Sequence, residues 1–155
     1  EKAGVKLGLH PDDPPIPNLL GYSRILISAE DYRRAMSLSD SPSHGITFCQ
    51  ATFNMMGEDV YALMEEWKER IFFLHFRDAA GKPDCFRETF HDNGQIPMAQ
   101  MIRLYRQLGL DVPIRVDHVP TMAGEVSTLP GYDAMGRLFA IGYLKGILET
   151  VEGKV

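Results

Sequence analysis

Four short apolar runs, each followed by a stretch with helical spacing, constrain this chain more than any other feature. Val5–His10 reads as a strand and stops at the Pro-rich segment Pro11-Asp12-Asp13-Pro14-Pro15, because proline cannot extend a ladder. Ser28-Ala29-Glu30-Asp31 looks like a capping box, with Tyr32, Ala35, Met36 and Leu38 spaced as one helix face behind it. Residues 41–45 read as a turn, and Ile46–Cys49 as the second strand. Gly57 opens the clearest helix, in which Val60, Leu63, Met64 and Trp67 form an apolar stripe opposite Glu65, Glu66, Lys68, Glu69 and Arg70. Ile71–His75 is almost wholly apolar, as a strand covered on both faces should be.

A long polar loop is expected from Arg77 to Gly94. Pro97 suits the first turn of a helix lined by Met101, Leu104, Tyr105 and Leu108, and Gly109 suits its C-terminal cap. Pro113–Asp117 reads as the fourth strand. After a loop at 119–130, the segment from 131 to about 152 carries Met135, Leu138, Phe139, Tyr143, Ile147 and Leu148 at helical spacing. The order β-α-β-α-β-α-β-α predicts parallel strands joined by right-handed helical crossovers. The fold class is therefore α/β, with four consecutive β/α units, half of a (β/α)8 barrel. Residues 1–155 are read as a single C-terminal half-barrel segment of a larger barrel domain, and the lack of a starting Met fits a fragment.

Composition narrows the function. A net charge of −5 and the absence of a Lys/Arg run argue against a nucleic-acid binder. No apolar stretch approaches the roughly 18 residues needed to cross a bilayer, and no signal peptide is visible. Two cysteines, Cys49 and Cys85, do not make a disulfide framework, although counting alone permits one bond between them. A reducing cytoplasm is the expected compartment. The eight methionines read as core filler.

Each predicted strand ends on a residue able to bind metal: His10, Cys49, His75 and Asp117. In a (β/α)8 barrel the active site lies where the C-terminal strand ends meet the following loops. Two nitrogens, a sulfur and an oxygen suit a divalent transition ion better than Ca2+ or Mg2+, which take oxygen donors. Taken singly, each residue also has a plain structural reading, as a core thiol or a loop-starting carboxylate. His118 follows Asp117 directly and is the first choice for proton transfer, with a supporting hydrogen-bonding role as its alternative. Arg115 lies two residues before Asp117 and projects to the same strand face, where it would clamp a carboxylate or neutralise Asp117. Arg77 stands in the same relation to His75. His91 either reaches the site or stabilises the long loop. His44 is expected in an exposed turn, and Asp12 and Asp13 as solvated loop carboxylates.

The stretches His10-Pro11-Asp12-Asp13-Pro14-Pro15, Phe48-Cys49-Gln50, His75-Phe76-Arg77, Glu88-Thr89-Phe90-His91-Asp92, Arg115-Val116-Asp117-His118-Val119-Pro120 and Gly136–Tyr143 resemble the C-terminal part of the mannonate dehydratase family, whose barrel is xylose-isomerase-like. The resemblance implies Mn2+ or Fe2+ held by His10, Cys49, His75 and Asp117. It implies a sugar-acid substrate, D-mannonate, which loses water to give 2-dehydro-3-deoxy-D-gluconate in hexuronate breakdown. Tyr132 matches an active-site tyrosine of the family and becomes a second candidate for proton transfer. Arg115, Arg77 and His91 are expected to contact substrate. The family's chain is much longer, so this piece is expected to be inactive or weakly active alone, and to pair with a missing half-barrel or with copies of itself. Two other readings stand beside this one. One is a sugar isomerase or epimerase on a similar barrel, against which the thiol at position 49 speaks. The other is an inactive half-barrel that serves only in assembly.

Overall fold

The structure is a computed structural model that describes residues 1–153. In chain order the elements are β1 (Leu7–Leu9), β2 (Asn18–Leu19), β3 (Tyr22–Ser23), α1 (Ala29–Ser37), β4 (His44–Cys49), α2 (Gln50–Met55), α3 (Val60–Trp67), β5 (Ile71–His75), β6 (Ala79–Lys82), β7 (Cys85–Glu88), α4 (Met98–Gln107), β8 (Ile114–Arg115) and α5 (Ala134–Val151). A one-turn 3-10 helix at Lys68–Arg70 joins α3 to β5.

The main sheet has the order β1-β4-β5-β8, and every pairing in it is parallel. This is the sheet that four β/α units predict. Its strands are shorter at the edges than the sequence suggests. Val5 and Lys6 lie outside β1, and β8 stops at Arg115 instead of Asp117. An edge strand has a ladder on one side only, so fewer residues are held extended there. β4, paired on both sides, is longer than expected and takes in His44, which is half-buried at its start and not in an exposed turn.

Helices cover one face of the sheet. Ser28 caps α1 by accepting the Asp31 N–H at 3.2 Å, as the capping pattern predicts. Asp59, not Gly57, caps α3, and its carboxylate accepts the N–H groups of Tyr61 and Ala62. Gly57 has φ +83 and supplies the left-handed turn that ends α2, a helix the sequence reading did not include. Tyr32, Phe48, Phe53 and Trp67 pack ring against ring with centroids 4.7–6.5 Å apart, and all are buried. Each such ring contributes about 1.5–3 kcal/mol by leaving water. Ile46, Leu74, Met64, Met101, Ile102 and Tyr105 extend this core.

Two expectations need correction. The loop from Arg77 to Gly94 contains an antiparallel hairpin, β6–β7. It has no apolar alternation strong enough to mark strands, and its residues pair chiefly with each other. In α5 the fully buried positions are Gly136, Ala140 and Leu144, whereas Met135 and Leu138 are exposed. A Cβ on Gly136 would lie 2.7 Å from the Pro120 carbonyl and 2.8 Å from the Val119 side chain. Glycine there lets α5 press against the loop that follows Asp117. Small residues mark this inner stripe, so the larger apolar residues beside it mislead.

Candidate metal centre

Parallel strands deliver all their C-terminal ends to one side, and the ladder brings the candidate ligands together. Cys49 pairs directly with His75, and His75 with Arg115. His10 follows β1 at the same end, and Asp117 lies two residues beyond β8. Asp117 has φ +57, a conformation in which Asp is enriched among non-glycine residues. Its carboxylate Oδ2 lies 3.3 Å from His75 Nδ1, which in turn is 3.0 Å from His10 Nε2. One ligand atom from each of His10, Cys49, His75 and Asp117 lies within 4.8 Å of all the others. Bonds of about 2.0–2.3 Å to a single ion set its ligands up to about 4.6 Å apart, so only small side-chain shifts separate this group from a coordination sphere.

The donors suit such an ion. His10 Nδ1–H donates to the Pro11 carbonyl at 2.7 Å, which leaves the Nε2 lone pair for the centre. Burial lowers the His10 pKa, favouring the neutral ligand form. Burial acts upward on the Asp117 carboxyl, but His75, His118 and Arg77 outweigh it and hold the pKa well below the ordinary value. Burial acts downward on His75, and Asp117 and Cys49 more than reverse it. The Cys49 sulfur accepts from Thr52 Oγ1 at 3.1 Å and faces Arg77 Nη1 at 3.9 Å, so two donors address it. Cys49 is buried, Cys85 is exposed, and both thiols are free.

Beside the centre is a second arrangement. His118 Nε2 lies 2.7 Å from Tyr132 Oη, and His118 Nδ1 lies 3.2 Å from Glu88 Oε1. The guanidinium groups of Arg115 and Arg137 sit over the Tyr132 ring, 5.5 and 4.9 Å from its centroid. An open cavity of about 320 Å3 is lined by His10, Asp13, His75, Arg115, Asp117, His118 and Tyr132. Three of the four metal candidates, His10, His75 and Asp117, and both proton-transfer candidates therefore share one space with Arg115.

Arg77 and His91 do not line this cavity. The Arg77 side chain is fully buried and its fork is filled by protein carboxylates. Nε donates to Glu88 Oε2 at 2.9 Å, Nη2 to Glu88 Oε1 at 2.5 Å, and Nη1 to Asp13 Oδ2 at 2.5 Å. No donor pair of its fork is left over for a substrate carboxylate. His91 is buried behind the strand ends, and its Nε2–H donates to the carbonyls of Phe76 at 2.5 Å and Val116 at 2.9 Å. It ties the end of β5 to the segment after β8, and it does not line the cavity.

Asp12 and Asp13 are not solvated carboxylates. Asp12 accepts from Arg24 Nε at 2.7 Å and from the N–H groups of Ile25 and Leu26 at 2.9 and 2.8 Å. Asp13 is bound to Arg77. Glu88, which the sequence alone does not mark as a site residue, binds both Arg77 and His118. Its only sequence signal is its place in the Glu88-Thr89-Phe90-His91-Asp92 motif, inside the polar loop from Arg77 to Gly94. Gln50 of the Phe48-Cys49-Gln50 motif donates to the Arg77 carbonyl at 3.1 Å and accepts from Tyr105, anchoring the Arg77 backbone from below.

A family model described as D-mannonate dehydratase (UxuA) matches residues 1–155. The mannonate dehydratase of Saccharophagus degradans is 31% identical over 98% of this chain and 42% of its own length. That of Chromohalobacter salexigens is 34% identical over the same shares. The crystal structure of mannonate dehydratase from Streptococcus suis serotype 2 superposes with a TM-score of 0.87 at 32% identity, covering 97% of this chain and 44% of that one. A D-tagatose 3-epimerase-like protein, at 21% identity and a TM-score of 0.72, shares the fold. The chain thus spans about two fifths of the length of these curated relatives. By the match along its whole length, this chain belongs to the D-mannonate dehydratase family.

Proposed function

We propose that this chain supplies the catalytic end of a metal-dependent hydro-lyase. It would convert D-mannonate to 2-dehydro-3-deoxy-D-gluconate, within hexuronate breakdown in the cytoplasm. The observation that carries this reading is the convergence of His10, Cys49, His75 and Asp117 beside the Tyr132–His118 pair. Those four would hold Mn2+ or Fe2+, two ions that accept mixed nitrogen, sulfur and oxygen donors. When bound, the ion supplies Lewis-acid polarisation of the substrate carboxylate and a neighbouring hydroxyl.

The protein's own groups account for the protons. Dehydration takes a proton from C2, breaks the C3–O bond, and protonates the departing hydroxyl to water. The resulting enol then tautomerises to the 2-keto acid. Tyr132 Oη and His118 Nε2 are 2.7 Å apart, so one can accept the C2 proton while the other serves the leaving group. Arg115, largely open and lining the cavity, is placed to meet the substrate carboxylate. Arg77 and His91 act on the site's framework. The main sheet ends at β1 and β8, which leaves two strand edges for further barrel strands, from a companion segment or a second copy.

The test follows 2-keto acid formation from D-mannonate with Mn2+ added. It uses the chain alone and the chain mixed with the preceding half of the Streptococcus suis relative. Tyr132→Phe should abolish product while elemental analysis finds the ion retained. A wild-type protein that binds no divalent ion sinks the reading.

A further inference from the structure

We infer that Glu88 is a positioning residue that fixes the tautomer of His118, holding the proton on Nδ1 so that Nε2 accepts from Tyr132. The inference deepens the function proposed above and rests on it for its kinetic consequence only.

Glu88 ends β7, and its side chain is only 18% exposed. Burial alone would push its carboxyl up, but His118 and Arg77 outweigh burial and hold it below the ordinary range. An ionised carboxylate only accepts hydrogen bonds. The imidazole nitrogen facing it at 3.2 Å must therefore donate, so Nδ1 carries the proton. Asp13 Oδ2, 3.9 Å from the same nitrogen, favours the same arrangement. In the neutral ring Nε2 is then the lone-pair nitrogen, 2.7 Å from the Tyr132 hydroxyl, which donates to it. The opposite side offers a weaker pull, since Asp117 Oδ1 is 3.9 Å from Nε2.

Arg77 keeps Glu88 in place. Its Nε and Nη2 grip both carboxylate oxygens, its Nη1 holds Asp13, and its backbone carbonyl is held by Gln50. A row of contacts thus runs from Arg77 through Glu88 and His118 to Tyr132. The logic is that of a carboxylate orienting an imidazole that serves a hydroxyl. Without the carboxylate the ring is free to turn its proton toward Nε2. The Tyr132 hydroxyl would then accept from Nε2–H across the 2.7 Å gap instead of donating to it, and the acceptor for the Tyr132 proton would be lost.

Nitrogen-15 NMR of the histidine side chains in the chain, without a paramagnetic ion and at about pH 8.5, reads the tautomer directly. The expected result is His118 protonated on Nδ1 in the wild type. Glu88→Gln keeps one oxygen for His118 and should keep that tautomer. Glu88→Ala should shift it toward Nε2–H. In the Mn2+-loaded protein, kcat for dehydration should fall about 10- to 100-fold in Glu88→Ala, with KM and metal content unchanged. Glu88→Gln should recover most of that loss. A wild-type His118 protonated on Nε2 overturns the inference, and this holds even if Glu88→Ala fails to fold. An Ala variant with the wild-type tautomer overturns it as well, as does a kcat loss matched by metal loss. Absence of dehydration in the wild type complemented with the preceding half of the Streptococcus suis relative, with the Nδ1 tautomer intact, would instead remove the substrate assignment.

Discussion

Replacing Arg77 by Met removes the cation that two shielded carboxylates share. Met fills a similar volume, so the loss is electrostatic before it is steric. In the native site Glu88 and Asp13 are 18% and 16% exposed, and Arg77 is completely covered. Removing one partner of a buried ionic cluster costs about 3–5 kcal/mol, because the remaining charge is stranded away from water. The partial exposure of both carboxylates argues for the lower half of that range. With a urea slope of about 2 kcal/mol per M, the unfolding midpoint should drop by about 1.5–2 M. Trp67, the single tryptophan, is buried in the core and reports the transition by fluorescence, with EDTA present so that ion binding adds nothing.

The pH dependence supplies the sign. In the wild type the Glu88 pKa lies below its unfolded value, so its contribution is present above about pH 4.3 and is lost as pH falls through the folded value. In the variant burial acts with no Arg77 to oppose it, so the deficit should be smallest near pH 3 and grow toward pH 7. A midpoint shift under about 0.5 M, or a deficit equal at both pH values, refutes the claim that this cluster is held by Arg77.

Three further outcomes follow from the same contacts. Cys49→Ser removes a soft donor and should weaken Mn2+ binding about 10- to 100-fold by titration calorimetry, and an unchanged affinity would take Cys49 out of the ligand set. Asp12→Asn should cost about 1.5–3 kcal/mol near neutral pH by weakening one charged bond and two backbone bonds. Burial acts upward on Asp12, yet its partners hold it below the ordinary value, so the wild-type advantage should be complete above about pH 4 and be lost as pH falls through the lowered folded value in urea melts. Phe53→Ala should cost about 3–5 kcal/mol, since its ring touches Tyr32, Phe48 and Trp67, and a loss under 1 kcal/mol would mean that those rings close the gap.

Much of the barrel half was legible because hydrophobic periodicity is a local property. The apolar run Ile71–His75 and the stripe Val60–Leu63–Met64–Trp67 needed no partner to be recognised. The strand-end placement of His10, Cys49, His75 and Asp117 could be read the same way, since parallel units repeat one geometry. Short-range signals failed where pairing or packing chose the structure. The β6–β7 hairpin stabilises itself mainly across its own ladder, and the inner face of α5 is marked by Gly136 and Ala140, which carry little apolar signal.

The linear order of residues by itself determined the four β/α units, their parallel arrangement and the identity of the candidate metal ligands. These follow from periodicities of two and 3.6 residues and from the direction in which each strand must run. Only the tertiary structure decided which charged groups meet. Asp13, Arg77 and Glu88 are separated by 64 and 11 positions, yet they close into one cluster beside His118. Coulomb and hydrogen-bond energies depend on distance in space and on exclusion of water, and neither quantity is written in the spacing of letters along a chain.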